Sequence, residues 1–381
     1  MENNITRRIR RRRKLKRRSD STGVVVKNIE KGVNRSIPPT APVEFLSSNC
    51  IPLNLALSQK GRDGGWPRAR VSNIIGDGSS GKTLLALELA FWFFNNYKKL
   101  KSNIFAKIKK LIIKYDNGEG VMDFPMPIMY GKEFSKFVDW ERSKSFEQMC
   151  RRFLKLAFNL KKGESLLYII DSWDSFQGSQ SKKDFRDSIE KDNDLKGDYD
   201  LFIQKYASRK FFPAFCDALD KNKVDATLII ISQVRGNVGV TFGKKLKRSG
   251  GKALDFYTHS VVEVAEKRKL RKKKLGESKV YAIESAVRVT RSKVAKPFRE
   301  AEFRILYDYG MDNINSMINY LWGQTKKKIK FDGEEFSKTK NLVRYIEKNN
   351  LEDKIINMVE DKWQKVERAF TDEVKKRKPR Y

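Results

Sequence analysis

Cysteine and histidine are nearly absent from this 381-residue sequence, which has three of the first (Cys50, Cys150 and Cys216) and one of the second (His259). Three widely spaced thiols exclude a disulfide framework, and a lone imidazole excludes a zinc set. The cysteines are therefore expected as buried thiols in a reducing compartment. No apolar run reaches the roughly 18 residues that a membrane-crossing helix needs, and no apolar stretch follows the arginine-rich N-terminus to act as a secretion signal. Negative charge is also short: 47 Asp and Glu stand against 81 Lys and Arg, a formal charge of +34. Such an excess predicts a polyanionic partner, nucleic acid ahead of an anionic membrane, because each Lys or Arg set on a phosphate releases counterions.

What is present is enough for a core. Hydrophobic residues make up 39% of the chain and include 24 Phe and 6 Trp, which excludes wholesale disorder. The length predicts a core of about 230–270 residues with appendages. Residues 7–18, RRIRRRRKLKRR, hold ten basic residues in twelve and predict a disordered arm. The segment SIPPTAP marks a linker, giving residues 1–43 as arm and linker, 44–310 as the core and 311–381 as a small C-terminal domain.

Within the core, the apolar runs Val71–Ile75, Leu111–Lys114, Leu166–Ile170 and Thr227–Ile231 predict buried strands. They alternate with helical patterns at 84–97, 146–160 and 201–222, the signature of a mostly parallel sheet flanked by helices. After Tyr257 the rhythm changes to strands at 261–265, 280–290 and 303–307, joined by the basic turn KRKLRKKKLGES, which predicts an antiparallel extension. Helices are expected at 339–349 and 351–370.

The strongest motif is GDGSSGKT, comprising Gly76, Asp77, Gly78, Ser79, Ser80, Gly81, Lys82 and Thr83. It follows the strand VSNII and opens a helix. Glycines let backbone N–H groups turn toward α- and β-phosphates, Lys82 reaches the β- and γ-phosphates, and Thr83 suits Mg²⁺. Asp171, at the end of the strand LLYII, is placed to hold the same cation through water. In YDNGEGVMD, Asp116, Glu119 and Asp123 are the carboxylates available to orient an attacking water; spacing alone does not choose among them.

Two segments carry a family resemblance. TLIIISQVRGNVGVTFGKKLKRSGGKALDFY and VRVTRSKVAKPFREAEFRILYDYGM resemble the bacterial and phage RecA recombinases, and the similarity runs from about Phe45 to Trp363. The resemblance implies a RecA-type P-loop ATPase core with a small α+β C-terminal domain. It also implies ATP and Mg²⁺ as cofactors, filaments on single-stranded DNA, and strand exchange with duplex DNA in recombination and repair. By residue, it makes Glu119 the water-orienting base, Asp123 an adenine neighbour and Gln233 the γ-phosphate sensor. Gln233 leads into a DNA-binding loop at 234–251, where Arg235, Lys244, Lys245, Lys247 and Arg248 supply charge. Phe242 offers a stacking surface there, and Gly250 and Gly251 allow close backbone approach. Arg291 and Lys293 match two basic positions that reach a neighbouring subunit's ATP.

The sequence also departs from the family pattern. The polymerisation helix is reduced to VVVKNIEKGV, the region after Asp171 is longer, placing a first DNA loop only loosely around 177–199, and the chain ends KKRKPRY where an acidic tail is common. A cytoplasmic, nucleoid-associated protein is expected, in the host cytoplasm if phage-encoded. Two alternatives stay open: a ring helicase of the DnaB type, and a single-strand-binding or mediator protein with weak ATPase activity.

Overall fold

Hydrophobic residues along the predicted strands alternate toward two different layers of helix, and this determines the architecture. A computed structural model of the chain describes residues 43–120, 125–179, 199–222, 224–236, 246–248, 251–323 and 328–375. The arginine-rich arm, the linker and the basic C-terminal residues 376–381 lie outside them. Residues from 43 onward form one compact unit.

Its centre is a sheet of ten strands. The strands used below are β1 (Val71–Gly76), β2 (Lys110–Asn117), β3 (Asp139–Glu141), β4 (Glu164–Asp171) and β5 (Ala226–Gly236), then β6 (Ser260–Lys274), β7 (Glu277–Ser292), β8 (Glu300–Leu306) and β9 (Gly310–Met311). Their order is β9-β8-β7-β6-β1-β5-β4-β2-β3, with the short strand Leu246–Arg248 paired to β5. From β6 to β3 every pairing is parallel, and from β6 to β9 every pairing is antiparallel. The parallel sheet and its antiparallel extension are thus as expected.

Residues of β4 show why the sheet needs cover on both faces. Leu167 and Ile169 enter one core with α2 (Lys82–Asn96), while Leu166, Tyr168 and Ile170 enter the other with α4 (Phe146–Phe158) and α6 (Phe212–Asn222). Each helix offers a matching stripe. In α4 the buried residues Phe146, Met149, Cys150, Phe153 and Ala157 recur at helical spacing, and the helix opens at Ser145, whose Oγ accepts the Gln148 N–H at 3.3 Å. Across that interface Phe153 meets Phe215 edge-to-face, with ring centroids 4.7 Å apart.

Sequence patterning missed α1 (Ile51–Ser58), all eight residues of which are buried. Buried on every side and polar only at Asn54 and Ser58, it gives no amphipathic signal, because β8, α8 (Asn313–Trp322) and α10 (Glu352–Lys375) surround it. The C-terminal residues also include α9 (Thr339–Lys348) and a hairpin of Ile329–Phe331 with Glu334–Phe336. Three further helices complete the numbering: α3 (Met126–Phe137, broken at Gly131), α5 (Tyr199–Tyr206) and α7 (Gly251–Tyr257).

One expectation needs correction. The basic segment KRKLRKKKLGES is strand through Lys274, and the turn is only Leu275-Gly276, both at positive φ (49° and 82°). Pairing with Glu277–Val280 continues the ladder to the tip, so backbone hydrogen bonding outweighs the low strand preference of lysine. The thiols also differ slightly from expectation: Cys50 and Cys150 are buried, whereas Cys216 is partly exposed. Among the described residues no helix is long and apolar enough to cross a membrane.

Candidate functional site

Parallel strands end together, and here their carboxyl ends collect the chemistry. In the sheet register Gly76 of β1 pairs with Gln233 of β5, and Asn117 of β2 pairs with Asp171 of β4. The loop from Gly76 to Gly81 leaves β1 and α2 begins at Lys82, so the helix N-terminus faces the same crevice. A Cβ on Gly76 would sit 2.2 Å from the Val264 carbonyl oxygen, and Gly81 holds φ at +98° with Ile305 against it. Only glycine fits either place.

Lys82 is buried, and its Nζ donates to the Asp77 carbonyl oxygen at 2.5 Å. Burial pushes its pKa down, while Asp171, Glu119, Asp77 and Asp174 pull it back up. Thr83 Oγ1 donates to Asp171 Oδ2 at 2.7 Å, and Tyr115 OH donates to the same oxygen. Burial raises the Asp171 carboxyl, and these two hydroxyls oppose the rise. Thr83 and Asp171 are hard oxygen donors, a set that fits Mg²⁺ held jointly with substrate phosphates. No group of three or more His, Cys, Asp or Glu suited to a metal exists among the described residues.

The three candidate carboxylates separate physically. Asp116 is fully buried and accepts from Ser143 N at 2.8 Å, Ser143 Oγ at 2.5 Å and Tyr168 OH at 2.7 Å. Its lone pairs are committed to the fold. Glu119 is exposed in the crevice, where its Oε1 accepts from Gln233 Nε2 and from Ser172 Oγ, both at 2.8 Å. Asp123 lies outside the described residues. Gln233 is held by its backbone N–H, which donates to Asp174 Oδ2 at 2.6 Å.

Tyr115, Ser172, Asp174 and Ser285, whose Oγ donates to the Ser80 carbonyl at 3.0 Å, are supports that sequence reading missed. Only Tyr115 left a signal: its alternation with Asp116 turns it to the opposite face of β2. A cleft of about 520 Å³ adjoins the loop, floored by Ser79–Leu84 and walled by Pro125 and Met129 on one side and Ile305–Asp308 on the other. Glu88 of α2, only 2% exposed, ties both walls to the floor. It accepts Tyr130 OH at 3.0 Å and Met311 N at 2.9 Å, and Asn49 Nδ2 at 2.7 Å.

Other expected residues stand apart. Arg291 pairs with Val261, which is level with Asn73, three residues before Gly76, so it lies roughly 10 Å down the sheet from the phosphate loop. Lys293 follows it; its Nζ donates to the Phe256 carbonyl at 2.5 Å. Its pKa is lowered by burial and then by Arg291. Arg235 and Lys247 face each other in backbone register, as do Val234 and Arg248, and Gly251 opens α7. Phe242, Lys244, Lys245, Gly250 and most of the first DNA loop (180–198) lie outside the described residues.

Residues 207–312 match the family model for the RecA N-terminal domain. Protein RecA of a Nocardioides species is 30% identical over 280 residues, covering 73% of this chain and 69% of that protein. The chain belongs to the RecA family. RecA of Fusobacterium nucleatum is also 30% identical over 280 residues, a span of 73% of this chain but 64% of that protein's length. RecA of Colwellia psychrerythraea is 28% identical over 279 residues, 73% and 70% of the two chains. The segment matched to the RecA domain holds Gln233, Arg291 and Lys293, and it starts after the phosphate loop.

Proposed function

We propose that this RecA family member is a DNA-dependent ATPase that filaments on single-stranded DNA and promotes strand exchange with a homologous duplex. The observation that carries this reading is the 2.8 Å hydrogen bond from Gln233 Nε2 to Glu119 Oε1. It ties the exposed carboxylate of the crevice to the residue that leads into the segment 234–251.

ATP phosphates would lie on the backbone N–H groups of Gly78–Thr83, with Lys82 Nζ exchanging the Asp77 carbonyl for a phosphate oxygen. Thr83 and Asp171 would hold Mg²⁺, which supplies charge neutralisation at the β- and γ-phosphates. The apolar cleft walls at Met129 and Ile305 accept the base. Glu119 orients water toward the γ-phosphate and takes its proton. A γ-phosphate beside Glu119 also competes for the Gln233 amide, so nucleotide state alters the hold on Gln233 and on the loop that starts there. Arg291 and Lys293, far from their own loop, serve the neighbouring subunit's nucleotide in the filament.

The test is ATP hydrolysis with and without single-stranded DNA, with electron microscopy of the same mixtures in a slowly hydrolysed analogue. Strong stimulation with helical filaments is expected. Closed rings would favour the helicase alternative, and DNA coating without nucleotide dependence would favour the binding-protein alternative.

A further inference from the structure

Asp171 is reached by a side chain that the phosphate loop does not supply. Tyr115 stands level with Ile169 in the pairing of β2 with β4, and Asp171 lies two residues further along on the same face. That offset, about 7 Å along the strand, is one that a tyrosine side chain spans. The tyrosine is fully buried, and its hydroxyl donates to Asp171 Oδ2. Trp140 of β3 packs on its ring with centroids 5.0 Å apart, which fixes the direction of the hydroxyl.

From α2, on that face of the sheet, Thr83 Oγ1 donates to the same oxygen at 2.7 Å. Two hydroxyls therefore occupy Oδ2, while Oδ1 accepts no hydrogen bond among the described residues. Burial, and then the charge of Asp171, hold the Tyr115 hydroxyl well above the usual phenol range, so it stays a donor. The carboxylate is left with one oxygen to offer, and its plane is set by two elements distant in sequence.

We infer that Tyr115 is a positioning residue that makes this site selective for Mg²⁺ over Ca²⁺. Mg²⁺ demands near-ideal octahedral geometry and keeps several waters, so a carboxylate that offers one oriented oxygen suits it. Ca²⁺ takes more oxygens and gains from a carboxylate free to turn and offer both. By pinning Oδ2, Tyr115 withholds the second oxygen. Partners that orient a metal's ligands in this way are worth about 10- to 100-fold in metal affinity.

This inference rests on the proposed nucleotide and Mg²⁺ site, but not on DNA binding or filaments. The test is equilibrium binding of a fluorescent, non-hydrolysable ATP analogue to the full-length protein, titrated separately with Mg²⁺ and with Ca²⁺. The wild-type midpoint should lie lower for Mg²⁺, and equal midpoints would already overturn the inference. Tyr115→Phe, which keeps the ring, should raise the Mg²⁺ midpoint about 10-fold and move the Ca²⁺ midpoint by less than about 2-fold, with binding in EDTA retained. Tyr168→Phe is the control, because the Tyr168 hydroxyl is also buried and donates to a carboxylate, Asp116, that is committed to the fold. It should lower stability to urea, as Tyr115→Phe does, and leave both midpoints in place. An unmoved Mg²⁺ midpoint in Tyr115→Phe, equal shifts for both cations, or the same Mg²⁺ shift in Tyr168→Phe would overturn the inference alone. Wild-type binding that responds to neither cation would overturn the proposed Mg²⁺ site with it.

Discussion

Glu119, Asp116 and Asp171 are three carboxylates within one sheet end, and their surroundings give them three different chemistries. Asp116 is used up by Ser143 and Tyr168, Asp171 is buried beside Thr83, and Glu119 faces the crevice with Gln233. Glu119→Gln should therefore lower the turnover of ATP by about 10²-fold or more while leaving nucleotide affinity within a few-fold, measured by steady-state kinetics and equilibrium binding. Lys82→Ala should abolish hydrolysis and weaken nucleotide binding; full ATPase activity in that variant would refute the nucleotide site. His259 gives a pH prediction, since it is the sole histidine. Burial, followed by Arg70 and Lys293, lowers its pKa to about 3, so the fold keeps it neutral. Well above pH 6.5 it is neutral in both states and costs nothing. As pH falls from 6.5 toward 3, only the unfolded chain takes the proton, and stability drops by up to about 1 kcal/mol per pH unit at this partly exposed ring. Urea unfolding of His259→Gln should show that part of the pH dependence removed.

At the scale of elements, the turn between β8 and β9 and the helices α2 and α3 are held by one buried carboxylate. Gly310 sits at φ +102°, and a Cβ there would lie 2.5 Å from Glu88 Oε1. Gly310→Ala should thus cost about 2 kcal/mol in urea unfolding, and the loss of the Met311–Glu88 bond should raise the KM for ATP more than it lowers kcat. Neither Glu88 nor Gly310 was legible in the sequence, because a carboxylate on an apolar helix gives no hint of donors 39 and 223 residues away. The strands β1, β4 and β5 were legible, since continuous apolar runs carry their own signal. The full length of β6 was not, because lysine-rich strand and lysine-rich turn read alike until the partner strand is known.

The whole molecule is governed by its surplus of positive charge. DNA affinity should fall steeply and linearly on a log–log plot against salt, and a flat plot would contradict phosphate-dominated binding. That charge, the phosphate loop and the alternation of strand with helix are written in the chain itself. They follow from composition and local spacing and sufficed for the α/β fold and the phosphate-loop residues, while the RecA resemblance rests on the segments 227–257 and 287–311. Which carboxylate faces the crevice, which hydroxyls meet at Asp171 and which residue binds the cleft walls were decided only by tertiary structure. Each depends on contacts between segments distant in sequence, where burial and hydrogen-bond geometry rather than residue type set the chemistry.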